Sequence, residues 1–234
     1  MSQARVELRS TRDVVIPLGK AHLDGELNIP SRASGVVLFA HGSGSSRHSP
    51  RNKYVARTLN DSCIGTLLFD LLTQEEEEQE KYTRDLRFDI DLLAKRLVYA
   101  TNWIKTQEGV ETLPIGYFGS STGAAAALVA AAKLEEQVEV IVSRGGRPDL
   151  AGASLPKVNA PTLLIVGGRD EQVLSLNLDA YRQLHCEKRM EIIDRATHLF
   201  EERGALEEVA RLAAEWFRKH FESKGQIALQ QAAS

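Results

Sequence analysis

Apolar and polar positions fall into two kinds of pattern along the chain. Between Asp13 and Pro30, "DVVIPLG" and "AHLDGELNIP" alternate in character and are broken by Gly, Asp and Pro, which predicts short strands at an antiparallel edge. "RVELRS", residues 5–10, reads the same way. From Gly35 onward the strand-like runs become continuously apolar: "GVVLFA", "GTLLFD", "PIGYFG", "VEVIVS" and "PTLLIVGG". Runs this short and this uniformly apolar suit strands buried on both faces, as in a parallel sheet.

Between these runs the period becomes helical. Leu86, Ile90, Leu93, Leu97, Ala100 and Ile104 recur at alternating spacings of four and three, the mark of one buried helix face. "RMEIID" predicts a last strand, and Leu206, Val209, Leu212, Ala213, Trp216 and Phe217 a closing helix. Strands alternating with helices predict an α/β fold whose parallel sheet is covered on both sides. The stretch between "VEVIVS" and "PTLLIVGG" is too short for an inserted cap, so a single domain over residues 1–224 is expected. The tail, residues 225–234, is polar enough to fray. The acidic run "QEEEEQEK", Gln74–Lys81, is expected to be a solvated loop.

Composition narrows the function classes. With 234 residues, 43% hydrophobic and 26% charged, the chain has the make-up of one ordinary globular core. A net charge of −3 supplies no basic surplus for a nucleic-acid backbone or an anionic membrane. The start, "MSQARVELRSTRDVV", lacks the apolar core of a signal peptide, and no later run reaches the roughly 20 apolar residues of a membrane span, so a cytoplasmic protein is expected. Cys63 and Cys186 suggest neither a disulfide framework nor zinc ligands and are read as reduced and structural. His41 and His48 have no partner at metal-ligand spacing, so no metal or cofactor is expected.

The candidate chemistry centres on "PIGYFGSSTGAAAALVAAA", Pro114–Ala132. A phosphate-cradling turn would need G-x-G-x-x-G, or a Lys followed by Ser or Thr, and neither is present. Gly119-Ser120-Ser121-Thr122-Gly123 instead fits G-x-S-x-G with Ser121 at its centre, between an apolar strand and an Ala-rich helix. Such a turn is so sharp that only small neighbours fit beside the central residue, and it leaves that side chain exposed at the strand end.

A serine nucleophile needs a base and a group that orients the base. Asp170 in "LLIVGGRDEQV" and His198 in "MEIIDRATHLF" follow the next strands in the order Ser, Asp, His. Asp149 in "SRGGRPDL" is the alternative acid, at the end of the preceding strand, and Asp170 is preferred. For the oxyanion, the Thr122 amide is one expected donor and the Ser43 amide in "HGSGSSRHSPRN" the other, with Gly44 as a near alternative. His41 is expected to shape this loop and is a possible substrate contact.

With these residues in place, the chain resembles the α/β-hydrolase superfamily, and within it the capless dienelactone-hydrolase-like group. The resemblance runs from about Gly35 to Phe221 and rests on "HGSGSS", "GYFGSSTGAA", "GGRD" and "ATHLF". It implies a mostly parallel sheet of eight strands and a Ser-His-acid triad acting through an acyl-enzyme. Dienelactone hydrolases proper carry Cys where this chain has Ser121, so the expectation is a serine esterase rather than a dienelactone enzyme. Arg144 and Arg147 in "SRGGRPDLAG" are candidates to hold a substrate carboxylate or phosphate. The expected partner is a small ester or thioester. Two competing readings use the same fold, a non-catalytic ligand-binding protein and an acyltransferase.

Overall fold

The computed structural model describes residues 11–232, with side chains through Glu222; the strand expected at "RVELRS" lies outside the described residues. The opening pair, β1 (Thr11–Leu18) and β2 (Ala21–Asn28), forms the antiparallel edge that the alternating pattern predicts. The apolar runs follow as β3 (Val36–Ala40), β4 (Gly65–Phe69), β5 (Ile115–Ser120), β6 (Val140–Arg144) and β7 (Thr162–Gly167), every residue of each buried. The last strand is β8 (Lys188–Ile193). Together they make one eight-stranded sheet in the order β1-β2-β4-β3-β5-β6-β7-β8. β2 pairs antiparallel with β4, and all pairings from β4 to β8 are parallel.

Helices cover both faces. One face packs against α3 (Ile90–Ile104), α4 (Thr122–Leu134) and α5 (Glu171–Gln183) through Leu38, Tyr117, Leu97 and Leu164. The other packs against α1 (Pro50–Asp61) and α6 (Ala205–Ala232) through Phe39, Phe118, Val142, Trp216 and Phe217. α4 is apolar all round because it is enclosed all round: α3, β5 and a 3₁₀ segment (Pro148–Lys157) press on it. Its alanines keep it slim. The α6 backbone stays helical through Ala232, into the segment expected to fray, whose side chains lie outside the described residues.

The chain departs from the sequence pattern in three places. "QEEEEQEK" is helix, α2 (Gln74–Thr83), not a loop. Thr73 Oγ1 accepts from Glu76 N while Glu76 Oε2 accepts from Thr73 N, and the acids of the first turn face the positive end of the helix dipole. Leu86 belongs not to α3 but to a 3₁₀ turn before it (Leu86–Phe88), because Asp89 caps the helix by accepting from Leu92 N. Cys63 is exposed rather than packed, and Cys186 is half-buried; both thiols are free. No described helix is long and apolar enough to cross a membrane.

The topology decides where a site can form. β3 lies between β4 and β5, so the chain leaving β3 winds toward β4 and later returns to start β5 on the other side. A crevice opens at such a reversal, outside the carboxyl ends of the strands. The loops after β3, β5, β6, β7 and β8 all emerge at that edge.

Candidate active site

Ser121 stands between the last residue of β5 and the first of α4 with φ 52° and ψ −124°. A non-glycine residue in this region costs about 1–3 kcal/mol and persists only when its surroundings hold it. Here they do. Ser121 N–H donates to the Arg144 carbonyl at 3.3 Å, and the Ser121 carbonyl accepts from Ala124 N at 3.1 Å and Arg147 N at 3.0 Å.

The motif glycines answer to measured crowding. A Cβ on Gly123 would sit 2.2 Å from the Ala40 carbonyl oxygen, and one on Gly119 would sit 2.4 Å from the Ala124 Cα. Both obstacles are backbone, so neither can move aside. Gly42, in the loop after β3, is constrained in the same way by Ser121 itself, whose Cβ lies 2.9 Å from the place a Gly42 Cβ would occupy. The two loops therefore meet with the Ser121 side chain against Gly42.

Asp170 follows β7 after Gly167 and Gly168, at the N-cap position of α5, where its side chain makes no capping bond. It accepts from His198 Nδ1 at 2.6 Å instead. The loop after β8 is drawn to this place by Arg169 N–H, which donates to the Ala196 carbonyl at 2.9 Å, and by the bare Gly167, where a Cβ would lie 2.5 Å from that same oxygen. His198 then rests against Gly145, its Cε1 3.6 Å from the place of a Gly145 Cβ. Gly145 follows Arg144, whose carbonyl holds the Ser121 amide. With Nδ1 committed as donor to a carboxylate, the basic nitrogen of His198 is Nε2. The Ser121 hydroxyl and His198 Nε2 are not hydrogen-bonded in this structure, a contact that commonly tightens only when substrate is bound.

Asp149, the alternative acid, is taken by Arg147, whose Nε and Nη2 reach its two oxygens at 2.9 and 2.8 Å. One interaction thus removes both Asp149 as an orienting group and Arg147 as a free anion ligand.

The loop after β3 turns at Gly42–Ser45, closed by Ser45 N–H donating to the Gly42 carbonyl at 3.1 Å, with Gly44 at φ 73°. The buried His41 ring holds it: Leu71 N–H donates to Nε2 at 3.1 Å, so Nδ1 carries the proton and donates to the Gly42 carbonyl at 3.0 Å. Burial holds the His41 pKa below the usual histidine value, against the pull of the Gly42 carbonyl and Asp70. Both ring nitrogens are used inside the protein, so His41 shapes the loop and has neither to offer a substrate. Ser43 N–H, the expected oxyanion donor, is held by Thr122 Oγ1 at 2.9 Å, which docks this loop on the start of α4. The Thr122 N–H opens that helix and has no acceptor within it.

Two further residues were not signalled by any motif. Glu80 is fully buried and accepts from Leu86 N, Arg87 N, Arg87 Nε and Thr83 Oγ1. It ties α2 to the next turn and fixes Arg87, whose Nη1 lies 3.9 Å from where a Gly44 Cβ would be. Ser43, Gly44, Leu71, Leu72, Arg87 and Leu93 line a small hollow at this point. Roomier hollows of 400 and 500 Å³ lie between β8 and α6 and beside Pro114, and neither touches Ser121, Asp170 or His198.

A family model described as an alpha/beta hydrolase domain matches residues 33–215, the segment that carries all of these loops. The chain belongs to the α/β-hydrolase family. Its similarity to one solved member is high: a dienelactone hydrolase from Anabaena variabilis is 58% identical, with a TM-score of 0.89 over 91% of this chain and 98% of that one. Est1E from Butyrivibrio proteoclasticus shares the hydrolase fold at 16% identity, with a TM-score of 0.74 over 90% of this chain and 99% of that one. A curated protein of Mycobacterium tuberculosis, named putative phosphoribosyl transferase, is 54% identical over 208 residues. Those residues are 89% of this hydrolase chain and 46% of the relative, so the chain spans about half the length of the curated relative it matches.

Proposed function

We propose that this chain is a serine hydrolase that cleaves small carboxylic esters or thioesters through an acyl-enzyme. The observation that supports it most is the 2.6 Å hydrogen bond from His198 Nδ1 to Asp170 Oδ2, formed in a loop that rests on the backbone holding Ser121. A carboxylate in that position fixes the imidazole tautomer and orientation and stabilises the imidazolium that forms during reaction. Neither a binding site nor a scaffold needs such an arrangement.

In this reading His198 Nε2 takes the Ser121 proton as Oγ attacks the substrate carbonyl carbon. The tetrahedral oxyanion is met by the Thr122 N–H at the positive end of α4 and by a second amide from the loop after β3. That second donor is the Ser43 N–H, released when the Thr122 side chain turns away, or the neighbouring Gly44 N–H. His198 then gives its proton to the leaving alcohol or thiol, and water activated by the same nitrogen releases the acid. An alcohol or amine entering in place of water would make the same machinery an acyltransferase. The name of the Mycobacterium tuberculosis relative belongs to a chain about twice as long, whereas the hydrolase model covers the residues that build this site.

The test is a panel of short-chain esters and thioesters assayed with the wild type, Ser121→Ala and His198→Ala. Turnover by the wild type with loss in both variants is expected. Equal turnover by Ser121→Ala would remove the assignment.

A further inference from the structure

Arg144 ends β6, paired in register with Ser120, and its side chain lies under the loop that carries His198. It is 7% exposed, yet its Nε and Nη1 are buried without any hydrogen-bond partner, and no carboxylate pairs with it among the described residues. The guanidinium carbon stands 5.9 Å over the ring of Phe200, two residues beyond His198. A second arginine, Arg51 of α1, is close enough to repel it electrostatically. Arg51 Nη1 donates to the exposed Glu201 at 3.2 Å, but its Nε is also buried without a partner.

This arrangement is costly as it stands. A buried charge normally needs an opposite charge and filled hydrogen bonds, and a ring face compensates only in part. Burial first, and Arg51 second, bring the Arg144 pKa down to about 10, which still leaves it cationic at neutral pH. No described acid pairs with Arg144, whereas Arg147, three residues on, has its own Asp149. No nitrogen of the Arg144 guanidinium has a hydrogen bond to a described residue, and Nε with Nη2 makes the planar fork that matches a carboxylate or phosphate.

We infer that Arg144, supported by Arg51, forms an anion subsite beside Ser121 that takes a carboxylate or phosphate group carried by the substrate. The inference rests on the hydrolase reading for its substrate and deepens it: the ester cleaved is an acidic one. The Phe200 ring lies against the guanidinium, and His198 rests against Gly145, the residue that follows Arg144.

A matched pair of esters, one bearing a carboxylate and the other the corresponding methyl amide, tests this with the wild type, Arg144→Gln and Arg144→Lys. Calorimetric titration with inorganic phosphate accompanies it, with circular dichroism to confirm that the variants fold. The wild type is expected to favour the acidic ester in kcat/KM by at least about tenfold, and Arg144→Gln to lose that preference, since truncating one partner of a buried charge pair carries an effect of this size or more. Arg144→Lys keeps the charge but not the fork and should fall between the two. Phosphate binding that disappears in Arg144→Gln supports the subsite even when neither ester is turned over, in which case it is the hydrolase reading that fails. Preference for the acidic ester without phosphate binding supports a group recognised only as part of the substrate. Phosphate binding together with equal use of both esters overturns the substrate assignment in favour of a free anion. Equal use of both esters and no phosphate binding by the wild type overturn the inference altogether.

Discussion

His198 Nδ1 and Asp170 Oδ2 meet at 2.6 Å across 28 residues of chain, joined through the loops that follow two neighbouring parallel strands. The contact is made by side chains but placed by backbone, because Arg169 N–H and the bare Gly167 seat the His198 loop. Asp149 has the same chemistry one strand earlier and spends it on Arg147.

Asp170→Asn should therefore lower kcat by roughly 10⁴-fold, because an amide favours the wrong imidazole tautomer. Asp149→Asn should change kcat by less than about tenfold, since Asp149 reaches Arg147 and not the imidazole. Steady-state kinetics on any ester the wild type turns over checks both. The opposite order of effects would move the acid to the end of β6.

Gly123→Ala should destabilise the fold as well as disable the site. The added methyl meets the Ala40 and His41 carbonyl oxygens at 2.2 and 2.5 Å, so the junction between α4 and β3 must separate. Overpacking of this kind costs about 1–3 kcal/mol, and backbone obstacles place it at the upper end. A urea unfolding curve shows the lowered midpoint. An unchanged midpoint would mean that the turn at Ser121 can open to admit the methyl.

Glu80 gives a pH signature. Burial alone would raise its pKa, but the donors from Arg87, the Leu86 and Arg87 amides and Thr83 outweigh it and hold the carboxyl at about 2, against an ordinary 4.5. A depressed carboxylate pKa adds stability that is complete above the unfolded value and fades as pH falls through the folded one. The difference in urea midpoint between the wild type and Glu80→Gln should hold steady above about pH 4.5 and shrink from there toward pH 2. A difference independent of pH over that range would show that the charge is not what stabilises this turn.

Strand positions were legible from composition because a parallel sheet buried on both faces allows almost nothing but apolar residues; β3 through β7 coincide closely with the apolar runs. The turn at Ser121 was legible for a related reason, since Gly119 and Gly123 occupy places where no side chain fits. α2 was not legible because its acids give no apolar periodicity. Its helix depends on the local Thr73–Glu76 cap and on Glu80, an acid in an acidic run that is buried by what folds around it. The pairing of Ser43 N–H with Thr122 Oγ1 was hidden because it joins two loops far apart in the chain, and that of Arg147 with Asp149 because chain order does not say which of two nearby arginines an acid takes.

The central claim is that Ser121 is an activated nucleophile, and labelling with a small fluorophosphonate, followed by intact mass and peptide mapping, tests it most directly. A single adduct on Ser121 is expected in the wild type, none in Ser121→Ala, and much slower labelling in His198→Ala. No adduct in the wild type, or an adduct on Ser120, would contradict it.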